Sequence, residues 1–284
     1  MKLPIQGDLK GRICLVTGAS TGIGKEIARG LARLGGTVVL AVRSVERGEA
    51  AKGDIEASTG NRDLHVMKVD LASQRSIRDF ATEFNGRFDK LHVLVNNAGV
   101  WTTTKKQSPD GIELMWATNV LAYHLLTKLL LPKLKASAPA RIINVSSSAA
   151  KGLDLTDVQY EKRKYNDFTA YTATKQANRM LTWGLAAELA GSGVTVNTGN
   201  PGLIKSELSR ETSGVFGAIF SLMQALMAKT PADGADTFVW MAAAKELDGV
   251  TSKFYAARKE VACPYRDPAA IATLVKLCDQ QTGG

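Results

Sequence analysis

Short runs rich in Val, Ile and Leu alternate along the chain with longer segments whose apolar residues recur roughly every three to four positions. RICLVTG (12–18), TVVLAVR (37–43), LHVMKVDL (64–71), LHVLVNNAG (91–99), ARIINVSSS (140–148) and VTVNTGNPG (194–202) read as strands. The segments between them read as helices over 21–35, 44–59, 73–88, 112–137 and 170–193. The first helix places Ile23, Ile27, Leu31 and Leu34 on one face. Near-continuous apolar strands separated by helices predict a parallel sheet covered on both faces. The expected fold is α/β, a doubly wound parallel sheet of Rossmann type. No Pro/Gly/Ser linker or internal repeat interrupts it, so residues 1–284 form one domain. After the last clear strand the pattern predicts helices and a short strand near 252–256.

Composition changes this picture little. The chain is 45% hydrophobic and 22% charged, as expected of a globular α/β domain. No apolar run approaches the roughly 18 residues of a membrane span. The start, MKLPIQGDLKGR, lacks the apolar core of a signal peptide. The expectation is a cytoplasmic protein. The three cysteines, Cys14, Cys263 and Cys278, have no metal-ligand spacing, so no metal site and no disulfide framework is expected. The net charge of +9 is spread along the chain with acids among the bases, and its densest cluster is EKRK at 161–164. Such scatter speaks against nucleic acid and suits an anionic cofactor.

Candidate chemistry begins where the first strand ends. Thr17-Gly18-Ala19-Ser20-Thr21-Gly22-Ile23-Gly24 joins that strand to an amphipathic helix. Glycines at 18, 22 and 24 let backbone turn sharply and approach a ligand, and the helix start offers free N–H groups to a pyrophosphate. Further on come Asp70 and Leu71 after the third strand, the block Asn96-Asn97-Ala98-Gly99, and Asn119 within the fourth helix. The serines of INVSSS, a Tyr-x-x-x-Lys and Asn200-Pro201-Gly202 follow. In order and placement these motifs resemble the short-chain dehydrogenase/reductase family over most of the chain. LAVRSVERGE, LHVLVNNAGVWTTTKKQSPDGIE, the insertion before Tyr171 and NPGLIKSEL…KTPADGA are similar to its retinol dehydrogenase and WW-domain oxidoreductase-like branch. Membrane retinol dehydrogenases often carry an N-terminal anchor; the apolar core of one is missing from this start. The resemblance is therefore taken at the level of lipophilic aldehydes and ketones.

The resemblance implies a nicotinamide cofactor held by Gly18, Ser20, Thr21, Gly22, Ile23 and Gly24 at the pyrophosphate. Asp70 and Leu71 would meet the adenine, and Asn97, Ala98 and Gly99 the adenosine ribose. Pro201, Gly202 and Ile204 would flank the nicotinamide, with Ser206 near the phosphates. At the end of the second strand, where an acid would read a ribose 2′-OH, stands Val42-Arg43-Ser44. A guanidinium grips a 2′-phosphate instead, so NADP(H) is expected over NAD(H), with Arg43 as its reader.

Two Tyr-x-x-x-Lys pairs compete, Tyr160 with Lys164 and Tyr171 with Lys175. A phenol with a free pKa of about 10 needs a nearby ammonium to act as a base near neutrality. The family's V-S-S pattern makes Ser147 the catalytic serine and Ser146 and Ser148 bystanders. Spacing from Ser147 favours Tyr160, but DVQYEKRKYND has no apolar stripe after it. Tyr171 opens a run with Ala173, Ala177, Met180, Leu181, Leu185 and Leu189, a helix able to pack on the sheet. Tyr171 and Lys175 are therefore the expected pair, and residues 151–168 an insertion, read as an exposed loop at the site's mouth. By the resemblance Tyr171 exchanges the proton and Lys175 lowers its pKa and bonds the ribose. Ser147 orients the substrate oxygen, and Asn119 holds a relay water.

Residues 203–230, in the place of the family's substrate lid, carry Val215, Phe216, Ile219, Phe220, Leu222, Met223, Leu226 and Met227. They imply a hydrophobic small-molecule substrate, or a lid resting through 215–227 on another subunit or a membrane surface. Relatives commonly assemble as homodimers or homotetramers through the fourth and fifth helices. The readings carried beside the oxidoreductase are a catalytically silent cofactor-binding regulator and a reductase of a ring double bond, as in protochlorophyllide reductase.

Overall fold

A computed structural model describes residues 4–204 and 229–283. The six expected strands are β1 (Ile13–Thr17), β2 (Thr37–Val42), β3 (Leu64–Lys68), β4 (Val93–Asn96), β5 (Ala140–Val145) and β6 (Val194–Asn200). β7 (Phe254–Ala256) extends the sheet in parallel, and the short β8 (Lys259–Glu260) closes its edge antiparallel. The order is β3-β2-β1-β4-β5-β6-β7-β8. The strand order reverses beside β1, between β2 and β4. That switch point leaves a crevice at the carboxyl ends of the strands, where ligands bind in such sheets.

The helices are α1 (Gly22–Arg33), α2 (Val45–Thr59), α3 (Gln74–Arg87), α4 (Leu114–Ala136), α5 (Asp167–Glu188), α6 (Pro231–Ala243) and α7 (Pro268–Thr282). Alternation along the strands sends Cys14 and Val16 to one face and Leu15 to the other. α1, α2 and α6 cover the first face through Ile27, Leu31, Ile55 and Phe238. α3, α4 and α5 cover the second through Phe80, Phe84, Leu126, Leu130 and Ala186. α4 has the length and hydropathy of a membrane span, contrary to the reading of the sequence, yet most of it is buried inside the fold. It is here a core helix, and its burial rather than its composition argues against a span.

α7 lies outside this double layer, across α4 and α5. Leu274 and Cys278 join Trp116, Val120, Leu121, Ala177, Met180 and Leu181 in one apolar cluster. Polar contacts pin it: the Trp116 indole N–H donates to Gln281 Oε1 at 2.8 Å, and His124 Nε2 meets Asp279 Oδ1 at 2.7 Å. The face through which relatives were expected to assemble is thus covered by the chain's own helix.

The insertion 151–168 is exposed only in part. Val158 and Tyr160 are buried, Val158 beneath α7's cluster and Tyr160 against Met115 and Ala170. Asp157 accepts from the backbone N–H groups of Glu161 and Arg163, at 2.7 and 3.2 Å, and ties the segment into a turn. Arg163 of the EKRK cluster pairs with Asp157 at 3.3 Å and lies 4.3 Å over the Tyr160 ring. The apolar lid residues 215–227 and Ser206 lie outside the described residues. The bases of that segment meet, because the Lys229 N–H donates to the Leu203 carbonyl at 2.9 Å.

Candidate active site

The glycine loop turns from β1 into α1 with φ of 67° at Gly18 and 56° at Gly22. Gly24 is packed so closely that a Cβ there would meet the Gly18 carbonyl oxygen at 2.3 Å. At Gly22 the same atom would meet nothing within 4 Å, so the ligand side of the loop is open. Thr21 caps α1 with no side-chain hydrogen bond. Ser44, Ser73, Glu113, Asn166, Thr230 and Asp267 each accept an amide at the start of another helix. The first amides of α1 are thus left to an anion, and the residues present fit a pyrophosphate.

Thr17, which the sequence did not single out, ties the two halves of the crevice together. Its Oγ1 accepts from the N–H of Asn97 at 2.9 Å and of Ala98 at 3.0 Å, while Asn97 Nδ2 donates to the Thr17 carbonyl at 2.8 Å. Arg43 stands exposed at the end of β2 with no bonded partner among the described residues, where a 2′-phosphate reader would stand. Asp70 is half-buried, one oxygen accepting from the Ala72 N–H at 3.0 Å. Leu71 and Ile204 point into the interior, so only their backbone faces a ligand. Gly202 has φ of 85° and open space where a Cβ would stand.

Asn119 lies in a π-helical turn, Ala117–Leu121, inside α4. Such turns favour functional positions. Its Oδ1 accepts from the Val100 N–H at 2.8 Å, and its Nδ2 donates to the Val100 carbonyl at 3.0 Å and to Thr174 Oγ1 at 3.3 Å. The side-chain amide therefore clamps the loop after β4 to α5 and has no donor left for a relay water. Gly99 beside it stays side-chain free. A Cβ there would lie 3.3 Å from Asn119 Oδ1 and 3.6 Å from Lys175 Nζ.

Tyr171 and Lys175 sit one turn apart near the start of α5, whereas Tyr160 lies outside any helix and Lys164 is exposed. Lys175 is 3% exposed and donates to the Val145 carbonyl at the end of β5, at 3.3 Å. Its Nζ lies 5.6 Å from the Tyr171 ring and 5.9 Å from the ring of Tyr123. Burial lowers the Lys175 pKa to about 8 and raises that of Tyr171 to about 12. The nearby ammonium does not reverse the effect of burial on the phenol, so Tyr171 is protonated at neutral pH. Its hydroxyl bonds to no described residue. Tyr123 donates to the Ala98 carbonyl at 2.9 Å, and its place four residues after Asn119 is the sequence signal that marks it.

Ser147 is half-buried on the loop after β5, its Oγ accepting from the Ala149 N–H at 3.2 Å. Arg179, one turn beyond Lys175, fixes that loop. It donates to the Ser147 carbonyl, to Ser146 Oγ at 3.3 Å, and lies 3.9 Å over the Phe254 ring. Arg179 is 5% exposed and pairs with no carboxylate among the described residues. Its signal in the sequence was a lone charge on the apolar face of α5.

Known proteins agree with this geometry. The short chain dehydrogenase family model matches residues 12–214. Human retinol dehydrogenase 13 (Homo sapiens) is 42% identical over 266 residues, covering 91% of this chain and 80% of its own length. A crystal structure from Mycobacterium Paratuberculosis superposes with a TM-score of 0.78 at 29% identity, over 98% of this chain and 96% of that one. The short chain dehydrogenase of Escherichia coli CFT073 complexed with NADPH gives a TM-score of 0.70 at 28% identity, over 90% of this chain and 100% of that one. With a glycine cradle at the sheet's switch point and these relatives across nearly its whole length, the chain belongs to the short-chain dehydrogenase/reductase family, on its retinol dehydrogenase-like branch, and is an NAD(P)-dependent oxidoreductase.

Proposed function

We propose that the protein is an NADP(H)-dependent reductase of hydrophobic aldehydes or ketones, with Tyr171 as the proton donor. The observation that carries this reading is the pair of half-buried Tyr171 and buried Lys175 on α5, with a protonated phenol unpartnered among the described residues. Reduction needs that form. The bound cofactor supplies the hydride. Tyr171 gives its proton to the developing alkoxide, and Ser147 Oγ donates to the same oxygen. Lys175 holds positive charge beside the phenol and is placed to bond the ribose. Asn119 and Arg179 keep the two flanking loops in place. Arg43 reads the 2′-phosphate. The NADPH complex among similar structures supports that preference, and the retinol dehydrogenase relatives support an apolar substrate. The silent-regulator and ring-reductase readings find no support among these relatives.

The test pairs two variants. Titration of NADPH against NADH is expected to show a preference for NADPH that Arg43→Ala removes. Tyr171→Phe is expected to lower the reduction rate of an apolar aldehyde by roughly 10²–10⁴-fold, and a rate equal to wild type would overturn the mechanism.

A further inference from the structure

The phenol of Tyr171 is covered on one face by a residue to which the sequence motifs assign no role. Trp101 follows the Asn97–Gly99 block by two positions. Its ring stacks on that of Tyr171 with centroids 4.6 Å apart and planes 15° apart. The indole N–H donates to Asp167 Oδ2 at 3.0 Å. Asp167 begins α5, one turn before Tyr171, so the carboxylate that holds the indole and the phenol beneath it belong to one rigid helix. The backbone of the same loop is held by Asn119, through both polar groups of Val100. Phe168 packs beside the indole at 6.1 Å between centroids, and Lys151 Nζ lies 5.7 Å from the centroid of the Phe168 ring. Trp101 is therefore fixed at its root by α4 and at its tip by α5.

The Tyr171 hydroxyl has no hydrogen bond to the described chain, so nothing polar fixes the angle of its ring. Two torsions place that oxygen, and a proton donor must keep it within hydrogen-bond reach of the reacting atom. We propose that Trp101, held by Asp167, is a positioning residue for Tyr171: its indole fixes the plane of the phenol and keeps water from that face. This rests on Tyr171 being the acid of the reaction. A flat contact of this kind removes solvent on one side only and leaves the phenol edge, with its hydroxyl, open to substrate. It also adds to the burial that holds the phenol in its neutral form.

The stack is tested first without turnover. The chain has four tryptophans, and the difference between wild type and Trp101→Phe isolates the emission of Trp101. Tyr171→Ala is expected to shift that component toward the emission of a hydrated indole. An unchanged component overturns the proposal whatever the reaction proves to be. In turnover, Trp101→Ala is expected to lower kcat about tenfold or more, with KM changed less than about twofold. It is also expected to move the rising limb of the pH–rate profile for alcohol oxidation to lower pH, by roughly one unit, because a hydrated phenolate forms more readily. Trp101→Phe, which keeps a ring on the phenol, recovers most of both effects. Asp167→Ala reproduces part of them and Asp167→Asn, which keeps an acceptor, less. A change in KM alone makes Trp101 a substrate wall and overturns the proposal. So does a lower melting temperature with kcat and pH profile unchanged, which marks a structural role, and so does a gain in activity, which marks an obstruction. Loss of rate in Trp101→Ala with full activity in Tyr171→Phe would sink the proposed function instead.

Discussion

Two buried cations, Lys175 and Arg179, stand one turn apart on α5, and neither pairs with a carboxylate among the described residues. Burying an unpaired charge costs stability, so both are retained against the interest of the fold. For Lys175 the cost has a pH signature. The folded state lowers its pKa from 10.5 to about 8, so unfolding takes up a proton between those values and stability rises with pH across that window. Lys175→Met is expected to be more stable than wild type at pH 7 and to lose that rise, as melting curves compared across pH 7–10 will show. Arg179→Met should likewise keep or raise the melting temperature while lowering activity through the Ser147 loop. The motif residues of the proposed site were legible one by one, because glycines after β1, an asparagine inside α4 and a lysine four residues after a tyrosine are local patterns. Trp101, Thr17 and Arg179 were not, because what they touch lies in other elements: Tyr171 for the first, Asn97 for the second, Ser147 for the third.

At the scale of elements, the pattern of apolar positions placed β1 to β7 and the start of α5 to within a few residues, and missed only the two-residue β8 among the described strands. α5 begins at Asp167, earlier than its apolar stripe, because Asn166 caps it by accepting the Thr169 N–H at 2.9 Å. Those extra residues bring Asp167 onto the helix and within reach of Trp101. The buried part of the insertion 151–168 was missed because it has no periodic stripe of its own. Its burial comes from distant partners, Met115 of α4 and Leu274 of α7, which no local window contains. The same burial settles how the two tyrosines differ. The Tyr160 hydroxyl is buried with no hydrogen-bond partner among the described residues, and burial raises its pKa. Removing an unsatisfied buried hydroxyl costs nothing and can return about 1 kcal/mol. Tyr160→Phe is therefore expected to keep full reductase activity and to melt no lower than wild type, in contrast to Tyr171→Phe.

For the whole molecule, the decisive element is α7. Leu274 and Cys278 are fully buried against Trp116 and Met180, and a Cβ on Gly184 would meet Ile271 Cγ2 at 2.9 Å. Dimers built on the α4–α5 face would have to displace this helix. Size-exclusion chromatography is expected to show no assembly through that face, and Leu274→Asp is expected to produce self-association as the apolar cluster opens. Leu274→Ala should cost roughly 2–5 kcal/mol of stability, the range for a buried leucine truncated in a packed site. The helix also sets an order of events in the cell. On the ribosome α4 and α5 emerge first, and about 80 residues separate Glu188 from Pro268. At about 5–20 residues per second, that leaves the seam of Trp116, Val120, Leu121 and Met180 uncovered for roughly 4–16 s in every nascent chain. The sheet can be assembled in that interval while one flank stays adhesive, so the hazard to this protein is greatest late in translation, and holdase chaperones would find their target on α4 and α5.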